Sequence, residues 1–162
     1  MLKVKKLHPD AKCPTVGHLG EDLAYDLFSL DSVHIDSWSV SRIGTGIAAV
    51  FDGPELSSPD PFGFGGLIFQ PPISKWGLLI QDRSSMANLS LFTIGSVIDS
   101  GYRGEIKVML ANFTDEIVSF PAGSKIAQMI PIPVLTHRGI VEVAELPASS
   151  RQADGFGSTG QQ

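Results

Sequence analysis

Between Asp99 and Gly104 the chain sets an acid, an aromatic and a cation within five residues, Asp99, Tyr102 and Arg103. Gly101 and Gly104 fence them, and glycine lets a backbone approach a ligand closely. A turn tolerates any one of these residues for its own sake; the three together on a loop tip mark a candidate site. A second group, Asp82-Arg83-Ser84-Ser85, suits an anion. Where a strand passes into a helical turn, adjacent hydroxyls and backbone N–H groups can cradle phosphate oxygens, and an arginine adds a cationic fork. A helix N-cap explains the same tripeptide equally well. Gln128 is a polar residue inside the apolar run Ile126–Ile130 and needs a partner if buried. Near the end, Phe156 stands between two glycines, with Arg151 before it and Ser158 and Thr159 after it, an aromatic on a backbone able to fold over something.

The elements that carry these groups read as strands. The 162 residues predict one domain, 1–146, followed by an arm, 147–162. Seventeen Gly and eleven Pro exceed the usual share of roughly 12%, and helical periodicity is scarce, which predicts a turn-rich β protein. Met1–Leu7 alternates as a first strand, and His8–Glu21 is a loop. Leu23–Ser29 is a short strand with Leu23, Tyr25 and Leu27 on one face and Asp26 on the other, where a solvated acid is the simplest reading. Val33–Val50 reads as two strands around Gly44-Thr45-Gly46; with no helix following, that Gly-X-Gly does not indicate a dinucleotide fold. Phe51–Gln70, rich in Gly, Pro and Phe, is an irregular stretch whose Phe62, Phe64 and Phe69 cover either the core or an interface.

Trp76–Gln81 is a strand leading to Arg83. The stretch Gly95–Leu110 reads as a hairpin turning at Asp99-Ser100-Gly101, with Ile106, Val108 and Leu110 on one face and Glu105, Lys107 and Met109 on the other. Asn112–Pro121 is a turn and strand, Ile126 and Ile130 suit a buried strand, and Val141–Leu146 is the last one. From Pro147 onward the composition alone predicts a disordered tail.

Charge narrows the partners. A formal net charge of −5, with no basic cluster beyond Lys3, Lys5 and Lys6, disfavours a nucleic-acid polymer, whose binding rests on phosphate neutralisation. A small phosphorylated ligand needs only a few placed cations. The single Cys13 cannot form an intrachain disulfide, and His8, His18, His34 and His137 show no zinc spacing. No signal peptide and no apolar run of transmembrane length is found, so a soluble intracellular protein that does not use a membrane is expected.

Five of these stretches, in this order, resemble the signature motifs of the trimeric dUTP nucleotidohydrolases (dUTPases). They are Ala24-Tyr25-Asp26-Leu27, with Ala24 where the family has Gly; Arg83-Ser84-Ser85; Val97-Ile98-Asp99-Ser100-Gly101-Tyr102-Arg103-Gly104-Glu105; Pro121-Ala122-Gly123-Ser124-Lys125-Ile126-Ala127-Gln128-Met129-Ile130; and Arg151-Gln152-Ala153-Asp154-Gly155-Phe156-Gly157-Ser158-Thr159-Gly160, with Gln152 replacing Gly. The resemblance implies an all-β fold, a distorted jelly-roll-like β-barrel, in a homotrimer whose active sites are shared between subunits. It implies hydrolysis of dUTP to dUMP and pyrophosphate, which keeps uracil out of DNA and supplies dUMP. Asp99 would activate the water that attacks the α-phosphorus and hold the 3′-hydroxyl, and Tyr102 would pack on the deoxyribose and exclude a 2′-hydroxyl. The backbone at Thr93, Val97, Ile98 and Lys107 would read uracil and leave no room for a 5-methyl group. Arg83, Ser84, Ser85 and Gln128 would bind the α- and β-phosphates. Arg151, Gly157, Ser158 and Thr159 would close on the γ-phosphate, with Phe156 stacking on uracil. Mg²⁺ would bridge the phosphates, with Asp26 nearby through water.

Relative to that family Phe51–Gln70 looks like an insertion, and a regulatory role through a protein partner docking there is the alternative from another functional class. dCTP deaminase shares the fold, but it requires a catalytic Glu at the position of Met109, and a thioether cannot shuttle protons.

Overall fold

Short strands rich in β-branched and other apolar residues build nearly every element among the described residues. The computed structural model describes residues 1–53, 75–135 and 140–148. Its strands are β1 (Leu2–Lys6), β2 (Tyr25–Phe28), β3 (Val33–Ile35), β4 (Val40–Gly44), β5 (Ile47–Phe51), β6 (Trp76–Gln81), β7 (Leu91–Ile94), β8 (Val97–Ile98), β9 (Lys107–Asn112), β10 (Val118–Phe120) and β11 (Lys125–Pro133), with one helical turn, α1 (Ser84–Ala87). Every pairing is antiparallel. β1 pairs with β5 and β3 with β10, while four strands run in the order β2-β11-β6-β8 and three in the order β4-β9-β7. One hydrophobic cluster joins the inner faces of these sheets, with Leu27, Ile35, Ile47, Leu78, Leu91, Ile106, Leu110, Ile126 and Met129 at most 2% exposed. Burying each such side chain contributes roughly 1.5–3 kcal/mol before entropy is counted. The result is the all-β, jelly-roll-like barrel expected from composition and motifs.

Asn112 ties the barrel at one end. Fully buried, its Nδ2 donates to the carbonyls of Ile35, Asp36 and Glu116 at 2.8–3.1 Å, and its Oδ1 accepts from the N–H of Thr114 at 3.0 Å. This network holds the Asp36–Ser39 turn, where Trp38 takes a positive φ of 52°. That turn splits Val33–Val50 into three strands rather than the expected two, the second break falling at Gly46 (φ 67°).

Four further expectations are corrected. Leu23 lies outside β2 and is 76% exposed. Ile130 is only half-buried, because a register shift between Lys125 and Ala127 turns the buried face of β11 onto Ala127 and Met129. Val141–Leu146 forms no strand; Val141 and Leu146 are 81% and 84% exposed, and its alternation finds no neighbouring strand among the described residues. The hairpin, finally, is split. β7 pairs with β9 as far as Ile94↔Met109. Gly95 then turns the chain at a φ of 59°, and β8 crosses to pair with β6. The alternation that sets Ile106, Val108 and Leu110 on one face holds, and that face is the buried one, each at 0% exposure.

Candidate active site

Register brings the first cluster together. Gln128 on β11 faces Asp26 on β2 across one edge and Gln81 on β6 across the other, so Asp26, Gln128 and Gln81 form one row across the sheet, two residues before Arg83. Arg83 Nε donates to Asp26 Oδ1 at 2.7 Å, and Lys125 Nζ lies 2.7 Å from Asp26 Oδ2. Arg83 Nη1 donates to Ser85 Oγ at 3.0 Å. Asp26 is therefore not the solvated strand acid that its alternation suggests. With only 17% of its side chain exposed, it clamps two cations. Gln128 Nε2 donates to the carbonyl of Asp82 at 2.9 Å, which ties the strand to the start of the Arg83 turn. Arg83, and neither serine, occupies the N-cap position of α1, without a side-chain cap; capping does not explain the tripeptide.

Asp26, Arg83, Lys125 and Gln128 line a cleft of about 510 Å³ that also takes in Ser84, His18 and Asp22. The backbone N–H of His18 donates to Asp22 Oδ2 at 2.8 Å and holds that carboxyl below its ordinary value. Lys125 is a site residue that sequence reasoning passed over. It stands inside a matched motif, yet only the fold shows that the strand carrying it pairs with the strand carrying Asp26.

The second cluster is the loop tip. Tyr102 N–H donates to the Asp99 carbonyl at 3.0 Å, closing the expected turn. The Tyr102 hydroxyl donates to the Glu105 carbonyl at 2.9 Å, and its ring lies so close over Gly104 that a Cβ there would sit 2.5 Å from the hydroxyl oxygen. Gly101, by contrast, has open space around it. Arg103 braces the turn by donating from Nη1 to the carbonyls of Ser100 and Tyr102. The Asp99 side chain is exposed and accepts no hydrogen bond from a described residue. Beside the tip the split hairpin opens a slot. β8 is the last strand of its sheet, and the Lys107 end of β9 extends past the end of β7, so two backbone edges go without strand partners there among the described residues. Val97, Ile98 and Lys107 stand on those edges, and Thr93 sits on β7 behind them.

The two clusters lie at opposite ends of β6. Ile98 pairs with Leu78, so Asp99 follows beside Gly77, whereas Arg83 comes after Gln81. At about 3.3 Å per residue, Gly77 to Gln81 alone spans roughly 13 Å. Within one chain, Asp99 and Tyr102 are not brought to Asp26, Arg83 and Gln128. Arg151, Phe156, Gly157, Ser158 and Thr159 lie outside the described residues, as does the Phe51–Gln70 stretch beyond Gly53.

A family model for dUTPase matches residues 69–160, which contain four of the five motifs. Deoxyuridine 5′-triphosphate nucleotidohydrolase of Picosynechococcus sp. is 34% identical over 98% of each chain, and that of Hydrogenobaculum sp. is 38% identical over 98% of this chain and 97% of its own. The chain belongs to the dUTPase family. Among solved structures, the Staphylococcus bacteriophage 80alpha dUTPase with dUpNHpp superposes with a TM-score of 0.77 over 99% of both chains at 23% identity. The dUTPase of phage phi11 of S. aureus does so at 0.68 over 92% of this chain and 99% of its own, at 21% identity. These likenesses bear out the barrel architecture.

The donor set decides how a dUTPase-type Mg²⁺ fits. No group of three His, Cys, Asp or Glu gathers among the described residues, and each Asp26 oxygen already faces a cation. Asp26 would therefore hold such an ion through its remaining lone pairs and an intervening water, which suits an ion that keeps its hydration. No described helix is long and apolar enough to cross a membrane.

Proposed function

We propose that the chain hydrolyses dUTP to dUMP and pyrophosphate in active sites shared between copies, most simply in a homotrimer. The observation that carries this reading is the separation along β6. A general base must reach the reacting water within hydrogen-bond distance of the phosphorus it attacks. Asp99 and the Arg83 cleft of one chain lie too far apart to act on one α-phosphate, so the tip of one copy meets the cleft of another.

In the assembled site the divided hairpin takes the base. The O4, N3–H and O2 edge of uracil pairs with main-chain groups much as a strand does, between Val97–Ile98 and Lys107 with Thr93 behind. Tyr102, held by the Glu105 carbonyl, packs on the sugar and leaves no room for a 2′-hydroxyl. Asp99 accepts the proton of the attacking water and a hydrogen bond from the 3′-hydroxyl. Its freedom from described partners keeps both oxygens available. Across the interface Arg83, with Nε spent on Asp26, keeps Nη hydrogens for the α- and β-phosphates beside Ser84, Ser85 and Gln128. Asp26 would hold Mg²⁺ through water, and the ion, when bound, would supply charge neutralisation along the phosphate chain. Residues 1–146 form the body. The arm, 147–162, brings Arg151, Gly157, Ser158 and Thr159 to the γ-phosphate and Phe156 over the base, excluding water.

Release of pyrophosphate with Mg²⁺ from dUTP, and not from dCTP, dTTP or UTP, is the expected outcome of a direct assay. Tight dUTP binding without turnover would overturn the enzymatic reading. It would favour a regulatory one, in which 51–70 docks a protein partner; phage 80alpha dUTPase is itself described as controlling transfer of virulence genes.

A further inference from the structure

Gly44-Thr45-Gly46, the turn between β4 and β5, takes no part in the reaction as described so far, yet its contacts converge on Glu105–Lys107. Thr45 is 1% exposed and its hydroxyl donates to the Ile106 carbonyl at 2.6 Å. The N–H of Gly46 donates to Glu105 Oε1 at 2.9 Å, while Glu105 Oε2 lies 3.4 Å from Lys107 Nζ. Ile106 N–H donates to the Ile47 carbonyl at 2.8 Å. Both glycines are required by this arrangement. A Cβ at position 44 would sit 2.8 Å from Glu105 Oε1, and Gly46 holds its positive φ with Ala11 Cβ only 2.9 Å from where its own Cβ would be.

The segment fixed in this way is one wall of the slot beside β8. A wall with no strand ladder on its inner side must be held from behind, and here the Gly44↔Lys107 end of the β4–β9 ladder, a buried hydroxyl, a carboxylate and a backbone hydrogen bond hold it. We infer that the Gly44-Thr45-Gly46 turn, acting with Glu105, sets the width of the base slot and so the rejection of a 5-methylated pyrimidine. The inference rests on the reading of the split hairpin as the uracil slot. Thr45 and Glu105 are positioning residues: neither touches the base. Discrimination by a single methyl group is worth about 10–200-fold and depends on placement within about 0.5 Å, so a loosened wall shows first in selectivity.

The test compares kcat/KM for dUTP and dTTP, by pyrophosphate release, in the wild type, Thr45→Val, Thr45→Ser and Glu105→Ala. In Thr45→Val the dUTP/dTTP ratio should fall by about tenfold or more, through a raised KM for dUTP with kcat changed less than about threefold. Thr45→Ser, which keeps the hydroxyl, should restore the ratio to within about twofold of wild type. Glu105→Ala, altering a partly exposed side chain, should lower the ratio even where Thr45→Val fails to fold. A ratio unchanged in either folded variant, whatever its Tm, would overturn the inference, as would a serine that does not restore it. A wild type that turns over dTTP as readily as dUTP would instead overturn the slot reading on which the inference stands.

Discussion

Asp99→Asn should lower kcat for dUTP by about a hundredfold or more, the usual contribution of a positioned general base. The amide keeps the shape and can still orient a water, but it cannot take the proton. Because the Asp99 side chain is exposed and bonded to no described residue, the substitution strands no partner, and Tm should stay within about 1–2 °C of wild type. KM should change little, since only one hydrogen bond to the sugar is altered. Steady-state pyrophosphate release with a thermal melt on the same sample checks both expectations. A kcat within a few-fold of wild type would remove Asp99 from the chemistry.

Arg83→Ala should act on the other half of the site and lower kcat/KM by about 10²–10³, the scale set by losing one preorganised charged donor at a developing negative charge. Arg83 reaches Asp26 through Nε and Ser85 through Nη1, so its guanidinium is oriented before any phosphate arrives. Arg83→Lys should recover only part of the loss. An ammonium can pair with Asp26 or with a phosphate oxygen, but it does not present the planar fork that serves both. In Arg83→Ala, Lys125 remains at 2.7 Å from Asp26, so the carboxylate keeps one cation and the barrel should stay folded. Calorimetric titration with pyrophosphate separates the effects: weakened pyrophosphate binding follows from a lost phosphate contact, whereas a purely structural arginine would leave it unchanged.

What could be read from the sequence follows from what alternation encodes. Trp76–Gln81 was legible as a short apolar run bounded by polar residues, and Ile106, Val108 and Leu110 because period-two burial acts on each strand alone. Strand partners were not, since pairing is settled by the whole sheet. Nothing local in Gly95–Leu110 says that β8 leaves β9 for β6, and nothing in Leu23–Ser29 says that Lys125 arrives beside Asp26. The motifs identified candidate residues, but only register shows that those among the described residues fall into two clusters at opposite ends of β6. Val141–Leu146 failed as a strand for the same reason, since its pattern supplies a face but meets no partner among the described residues.

The shared site is tested most directly by assembling Asp99→Asn and Arg83→Ala chains together at equal amounts and measuring dUTP turnover. Each variant alone is nearly inactive. If Asp99 and Arg83 of one site come from different copies, random assembly leaves about a quarter of the sites with both groups intact, and about a quarter of wild-type activity should return. A mixture no more active than its two parents would contradict the account, because it would place both residues of each site on the same chain.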